Sequence, residues 1–210
     1  MSEQPSRTPL EYRARTDQRQ SALTAAFEKL LQEGVGLHAL TIEAIAQRAG
    51  MSRSAFYFYF ESKHDLLRAA VREVLQDMMF AANTFFDGTL GDPAEELGIG
   101  VRNVAATWRK HDVVMRALVE GSASDPDLRQ FLEEFVESFV HPVAARASEV
   151  LDDSEPDSAK AISCIAQGLL WMNERSFYNA TVKGFDDEQW DALVAALSTI
   201  WRRALLRAND

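Results

Sequence analysis

Residues 41–63 read TIEAIAQRAGMSRSAFYFYFESK. Thr41 is a good N-cap, and Ile42, Ile45 and Ala46 behind it repeat at the helical period. Gly50 supplies the left-handed residue at which a helix ends. Ser52 then caps again, ahead of the run Phe56, Tyr57, Phe58, Tyr59, Phe60. Propensity alone would make that run a strand. The cap before it and the further start at Ser62-Lys63-His64-Asp65 predict a short helix instead. Helix, Gly-containing turn and short polar-started helix is the helix-turn-helix layout. Ala49 is small enough for the two helices to approach, and Gly50 makes the sharp turn without a Cβ penalty.

That layout presents the N-terminal residues of its second helix to the major groove of a duplex. The candidates for base contact are Ser52, Arg53 and Ser54. A guanidinium such as that of Arg53 can bond guanine O6 and N7 together. Tyr57 and Tyr59 carry hydroxyl tips that reach phosphates. Thr41 and Lys63 stand at the starts of flanking helices, where backbone N–H groups already favour anions. A plain helical hairpin with an aromatic core would account for Phe56 and Phe60, which are assigned to the interior. It leaves Arg53, Tyr57, Tyr59 and Lys63 around one short helix unexplained.

Upstream, residues 1–15 hold two prolines and no apolar period, and read as a mobile arm. From Thr16 a helical period runs through Leu23, Phe27, Leu30 and Leu31 until Gly34 and Gly36 stop it. Downstream, Leu66, Leu67, Ala70, Val71, Val74, Leu75, Met78 and Met79 mark a helix of some six turns, long enough to link a head to a body. Breaks at Gly88–Pro93, Gly121–Pro126, Asp152–Pro156 and Gly184–Asp187 leave helices near 93–109, 112–121, 127–151, 157–182 and 187–207. No alternating strand pattern appears. The expected fold is all-α with about nine helices: an arm over 1–15, a helix-turn-helix head over 16–62 and a body over 63–210.

The 210 residues carry 22 Lys+Arg against 32 Asp+Glu, a net charge of −10, which taken whole opposes binding to phosphates. The charge is uneven. Residues 1–64 hold eight basic and seven acidic side chains, leaving 14 and 25 for 65–210. Arg7, Arg13, Arg15 and Arg19 cluster ahead of the first helical period. No apolar run is long enough to span a bilayer, and Met1–Tyr12 lacks an apolar signal core, so a cytosolic protein is expected. Catalytic signatures are absent: no G-x-S-x-G, P-loop or dinucleotide motif. His38, His64, His111 and His141 form no i, i+4 pair and Cys164 has no second Cys, so neither metal nor cofactor is expected.

The segment TIEAIAQRAGMSRSAFYFYFESKHDLL, with the helix ahead of it, closely resembles the tetracycline-repressor (TetR) family of transcriptional regulators. The family pattern IA..AG.S...[FY]Y.[HY]F..K..L is met at nearly every position over residues 16–75. The resemblance implies that Thr41, Arg53, Ser54, Tyr57, Tyr59 and Lys63 contact a double-stranded operator. Tyr59 stands where the family often has His, which removes a possible positive charge, and Glu61 places an acid beside the backbone contacts. FYFYF.SK in the head, WMNERSFYNA at 171–180 and TIWRRALL at 199–206 look like the EthR-like branch of that family.

A ligand-binding, dimerising body is what the resemblance implies, and the residues permit it. Most of the large apolar side chains belong to a core, while a subset is expected to line a pocket for a small hydrophobic effector: Trp108, Phe139, Trp171, Asn173 and Phe177. Asn173 and Glu174 interrupt an otherwise apolar helix. A buried Asn either orients a ligand or pairs with a neighbouring helix, and the residues alone leave both open; the EthR-like branch has an Asn at this position in an apolar channel. Trp171 is not a residue that branch leads one to expect. The last two helices are expected to pair two copies into a homodimer, with Ala159, Ala161, Ala166, Ala192, Ala195 and Ala196 allowing close approach and Leu193, Leu197, Ile200 and Trp201 supplying apolar area. The expectation is a homodimeric repressor on a palindromic operator. The rival is a helical carrier of hydrophobic ligands with no specific DNA activity, and it leaves the Arg53–Lys63 arrangement without a purpose.

Overall fold

Helix boundaries fall where the sequence supplies caps. The computed structural model describes residues 9–150 and 158–206. Among these the chain is all-α: α1 (Pro9–Gln32), α2 (Ile42–Arg48), α3 (Arg53–Tyr59), α4 (Lys63–Asp87), α5 (Pro93–Lys110), α6 (Asp112–Ser122), α7 (Pro126–Val150), α8 (Ser158–Lys183) and α9 (Asp187–Leu205). The helix expected from Thr16 begins instead at Pro9. Proline's fixed φ suits a first helical position, and the Leu, Glu, Arg and Ala residues that follow favour helix without needing an apolar face. Arg7 and the rest of residues 1–8 lie outside the described residues, as do the side chains of Arg13 and Arg15.

The chain divides into two compact units, one ending at Ala70 and one starting at Val71. In the first, Leu23, Phe27, Ile45, Phe56, Leu66 and Leu67 are completely buried. Burying each such side chain is worth about 1.5–3 kcal/mol. The Arg48 guanidinium also grips the Glu33 carboxylate through two bonds of 2.8 and 2.7 Å. An exposed pair of this kind is screened by solvent and contributes little, so the apolar core holds this unit together.

The turn between α2 and α3 follows from its residues. Thr41 Oγ1 accepts the Ala44 N–H at 3.1 Å and starts α2. At the far end the Met51 N–H reaches the Ala46 carbonyl at 2.8 Å and the Gly50 N–H the Gln47 carbonyl at 3.0 Å, with Gly50 at φ 68°. This paired closure needs a left-handed residue, which glycine adopts without strain. Ser52 Oγ then accepts the Ala55 N–H at 3.2 Å and opens α3.

The second unit contains the remainder of α4 and α5–α9. Helix α7 packs on α8, α5 on α9, and α6 on both α7 and α8. Asp92 caps α5 ahead of Pro93, and Asp186 and Gln189 form a reciprocal capping box on α9. Glu96 is wholly buried, yet its carboxylate accepts the N–H groups of Leu90 (2.7 Å) and Gly91 (3.0 Å) and an Arg146 guanidinium N–H (2.9 Å). Burial pushes its pKa up, but the Arg146 and backbone donors outweigh this and hold it below the usual carboxylate range. Arg146 also donates to the Phe85 carbonyl at 3.0 Å, tying α7 to the end of α4. None of the described helices is long and apolar enough to cross a membrane.

Candidate functional site

Two places in the molecule carry unusual chemistry, one in each unit. In the first, α3 buries Phe56 and turns Ser52, Arg53, Ser54, Tyr57 and Phe58 outward. Four of the expected DNA-contact residues already engage one another in two pairs, Ser52 with Ser54 and Arg53 with Tyr57. Ser52 Oγ lies 2.9 Å from Ser54 Oγ. Arg53 donates to Glu43 Oε1 at 2.8 Å and to the Tyr57 hydroxyl at 3.3 Å, with its guanidinium 5.7 Å from the Tyr57 ring centre. Arg53 is thus held extended on the outer face of α3, its charge offset by an acid from α2. Neither Glu43 nor Phe58, which is 66% exposed, belonged to the expected site. Phe58 sits one residue past Tyr57 in an aromatic run, and its exposure depends on the helical phase. Tyr59 is half-buried, its ring edge-on to Phe58 with centres 5.0 Å apart.

Thr41 spends its hydroxyl oxygen capping α2. Lys63 differs more from expectation. Its ammonium donates to the carbonyls of Leu37 (2.8 Å), His38 (3.1 Å) and Leu40 (2.9 Å), which accounts for all three of its N–H bonds. Burial lowers its pKa. Lys63 ties the segment ahead of α2 to the start of α4 instead of projecting a free charge. The backbone N–H groups of that start are partly used as well: Ser62 Oγ accepts from Asp65, and Asp65 accepts from Glu61.

The second unit contains a cavity of about 80 Å³. Its walls come from α4, α5, α7, α8 and α9 and are almost wholly apolar; Phe85, Trp108, Phe135, Phe139, Phe177 and Trp201 supply the aromatic area. Helix α8 contributes Leu170, Asn173, Glu174 and Phe177, the i, i+3, i+4, i+7 stripe that faces one direction. Four of the five residues expected at the pocket therefore line it: Trp108, Phe139, Asn173 and Phe177. Trp171 does not. One residue past Leu170, it is turned about 100° away. It lies over a surface groove with Glu133, Glu137 and Gln167.

Asn173 has both features that its sequence context left open. Its Oδ1 accepts the Trp201 indole N–H at 2.9 Å, a buried bond from α9 to α8. Indole can only donate, so the carbonyl oxygen faces Trp201 and the Asn173 amide N–H groups remain as donors beside the cavity. Trp108 spends its N–H on Thr181 Oγ1 at 3.3 Å and sets its ring at a 49° tilt to Phe177, with centres 5.6 Å apart. Glu174 is also buried in this wall, and neither carboxylate oxygen accepts a hydrogen bond. It was visible in the sequence as an interruption but was not counted in the site; the stripe through Leu170 and Phe177 is the signal that places it there.

Helices α8 and α9 also have outward faces. Ala159, Ala161, Ile165, Ala192, Ala195, Ala196 and Ile200 are exposed, and Leu193 is half-buried. Of the residues expected at a subunit contact, Ala166, Leu197 and Trp201 point inward and are buried within this unit.

Residues 23–70 match the model of the bacterial regulatory proteins of the tetR family, and residues 98–206 that of the C-terminal domain of transcriptional regulator EthR. The chain is 26% identical over 190 residues to the HTH-type transcriptional regulator EthR of Mycolicibacterium smegmatis, spanning 90% of its own length and 87% of the relative's. It is 24% identical over 200 residues to the HTH-type transcriptional regulator YfiR of Bacillus subtilis, spanning 92% and 95%. Among solved structures, a putative TetR-family transcriptional regulator from Syntrophomonas wolfei superposes with a TM-score of 0.72 at 16% identity, over 92% of this chain and 99% of that one. The fatty acid degradation regulator FadR of Bacillus halodurans gives a TM-score of 0.67 at 15% identity, over 98% and 99%. At such identities these two likenesses concern the fold alone.

Proposed function

The chain belongs to the TetR family of bacterial transcriptional regulators, with an EthR-type C-terminal domain, and on that footing we propose that it is a repressor whose hold on DNA is modulated by a small hydrophobic effector. Residues 16–62 form its DNA-binding domain and 63–210 its ligand-binding and dimerisation domain. Two copies joined through the outward faces of α8 and α9 read a palindromic operator, each placing α3 in a major groove. Ser52, Arg53 and Ser54 meet base edges; Thr41, Tyr57 and Tyr59 meet the backbone. Lys63 holds the loop before α2 in the shape this requires.

The observation that carries the regulated part of the reading is the apolar cavity with Trp108, Phe139, Asn173 and Phe177 in its wall. A core packed to ordinary density leaves few voids larger than a water molecule. The exposed alanines, Ile165 and Ile200 support the homodimer, since apolar side chains at close-approach positions are covered when two copies meet. To change DNA affinity the effector must bind one conformation of the dimer better than another.

The test is a salt series of binding to duplexes from the DNA upstream of the protein's own gene, with and without a fatty or aromatic probe in the cavity. Specific, strongly salt-dependent binding that the probe alters is expected. Failure to select any duplex in either state overturns the proposal.

A further inference from the structure

Glu174 is 4% exposed, and no protein group donates a hydrogen bond to either of its carboxylate oxygens. The charged group beside it is Arg175, whose Nε stands 3.6 Å from Oε2, beyond hydrogen-bonding distance, on a side chain that is more than half exposed. Glu96 shows the contrast. It is equally buried and receives three donors at 2.7–3.0 Å. Leaving a buried polar group unpaired is unfavourable, and more so if it is ionised. Glu174 shares the cavity-facing stripe of α8 with Asn173, and the walls from α4, α5, α7 and α9 bring no other titratable side chain to the cavity. The chamber is therefore apolar except at one end, where amide donors and an unpaired carboxyl stand on adjacent residues.

We infer that Glu174 is the docking point for a protonated primary or secondary amine carried on an apolar body, which fixes the chemical class of the effector. The inference rests on the cavity being the effector site. An ammonium group brings both the charge and the donors that the carboxyl lacks, and such charge-assisted bonds are roughly twice as strong as neutral ones. A neutral carbonyl ligand would engage only the Asn173 amide, and a fatty carboxylate would find no cation in the cavity wall. Burial pushes the Glu174 pKa up, which favours the protonated carboxyl in the empty cavity. When R–NH3+ enters, any proton the carboxyl carries passes to solvent and the ammonium becomes the partner of the carboxylate.

The test titrates the full chain with octylamine, 1-octanol and octanoate, read by tryptophan fluorescence, since Trp108 and Trp201 line the cavity. Octylamine should bind about tenfold or more tightly than octanol, and octanoate most weakly. In Glu174→Gln the amine should fall to the affinity of the alcohol, with octanol itself changed by no more than about twofold. Calorimetry in two buffers of different ionisation enthalpy should show proton release with octylamine that shrinks as pH rises, and none with octanol. Equal binding of amine and alcohol to the unaltered protein, or an amine preference that survives in Glu174→Gln, overturns the assignment of Glu174 while leaving the cavity as an effector site. Absence of binding by all three probes overturns both. If Glu174→Gln does not fold, the amine-to-alcohol ratio and the proton release of the unaltered protein decide the matter.

Discussion

The indole N–H of Trp201 donates to Oδ1 of Asn173 across 2.9 Å, joining α9 to α8 inside the cavity wall. One residue thus supports the fold with its carbonyl and faces the cavity with its amide. Asn173→Leu is expected to lower the thermal stability of the second unit by about 1–3 kcal/mol, because a buried indole N–H loses its acceptor. Asn173→Leu combined with Trp201→Phe should cost less than the sum of the two single changes, as a double-mutant cycle by calorimetric melting would show. Strict additivity would mean the bond contributes nothing.

Lys63 provides the clearest separation between a structural and a DNA-contacting role. With its ammonium committed to the Leu37, His38 and Leu40 carbonyls, Lys63→Met should destabilise the first unit by about 1–3 kcal/mol. The slope of log affinity against log salt should stay the same, whereas loss of a phosphate contact would reduce it by about one. Measuring both quantities on one variant distinguishes the roles.

Arg53 and Glu43 pair at 2.8 Å, and on the proposed reading DNA opens or shares that pair. Arg53→Ala should weaken operator binding by about 1–3 kcal/mol and relax base preference at one position per half-site. Glu43→Gln should act oppositely on unspecific duplexes: it frees a positive charge and raises their affinity while narrowing the gap to the operator. Competition binding with random-sequence DNA reads this, and an unchanged ratio would show that Glu43 does not restrain Arg53.

The carboxyl of Glu174 makes stability depend on pH. Burial raises its folded-state pKa above the usual 4.5. A carboxyl so shifted favours folding fully below the ordinary value, and that contribution is lost as pH rises through the folded value. Glu174→Gln should therefore melt close to the parent protein in acid and above it at neutral pH. The difference should grow as pH rises above the ordinary value, where the unfolded carboxyl ionises first, and level off once the folded carboxyl has ionised. A difference that stays constant from pH 5 to 8.5 would contradict this.

Much of the fold was readable because the chain marks its own boundaries. Thr41, Gly50, Ser52, Ser62 and Asp186 are caps whose chemistry is local, and the structure uses each as such. The early start of α1 was missed because the helical period registers burial, whereas residues 9–15 are helical without an apolar stripe. Cavity residues were found where a large side chain and helical phase agreed. Trp171 was misplaced because size was weighed above phase, and Glu174 was passed over because a charge in an apolar helix was treated as an interruption. Links between distant segments, such as Lys63 to Leu37 or Arg53 to Glu43, have no signature in spacing and emerge only once the turn has brought the helices together.

Helix α8 has one further consequence. Its Leu170–Phe177 stripe borders the cavity, while Ala161 and Ile165 on the same helix face outward. In a pair of copies joined through those outward residues, a shift of α8 around one guest molecule is felt at once by the other copy. Filling of the two cavities would then be coupled, with a Hill coefficient that departs from one, and the gene under control would respond to its signal with a steepness set by that coupling.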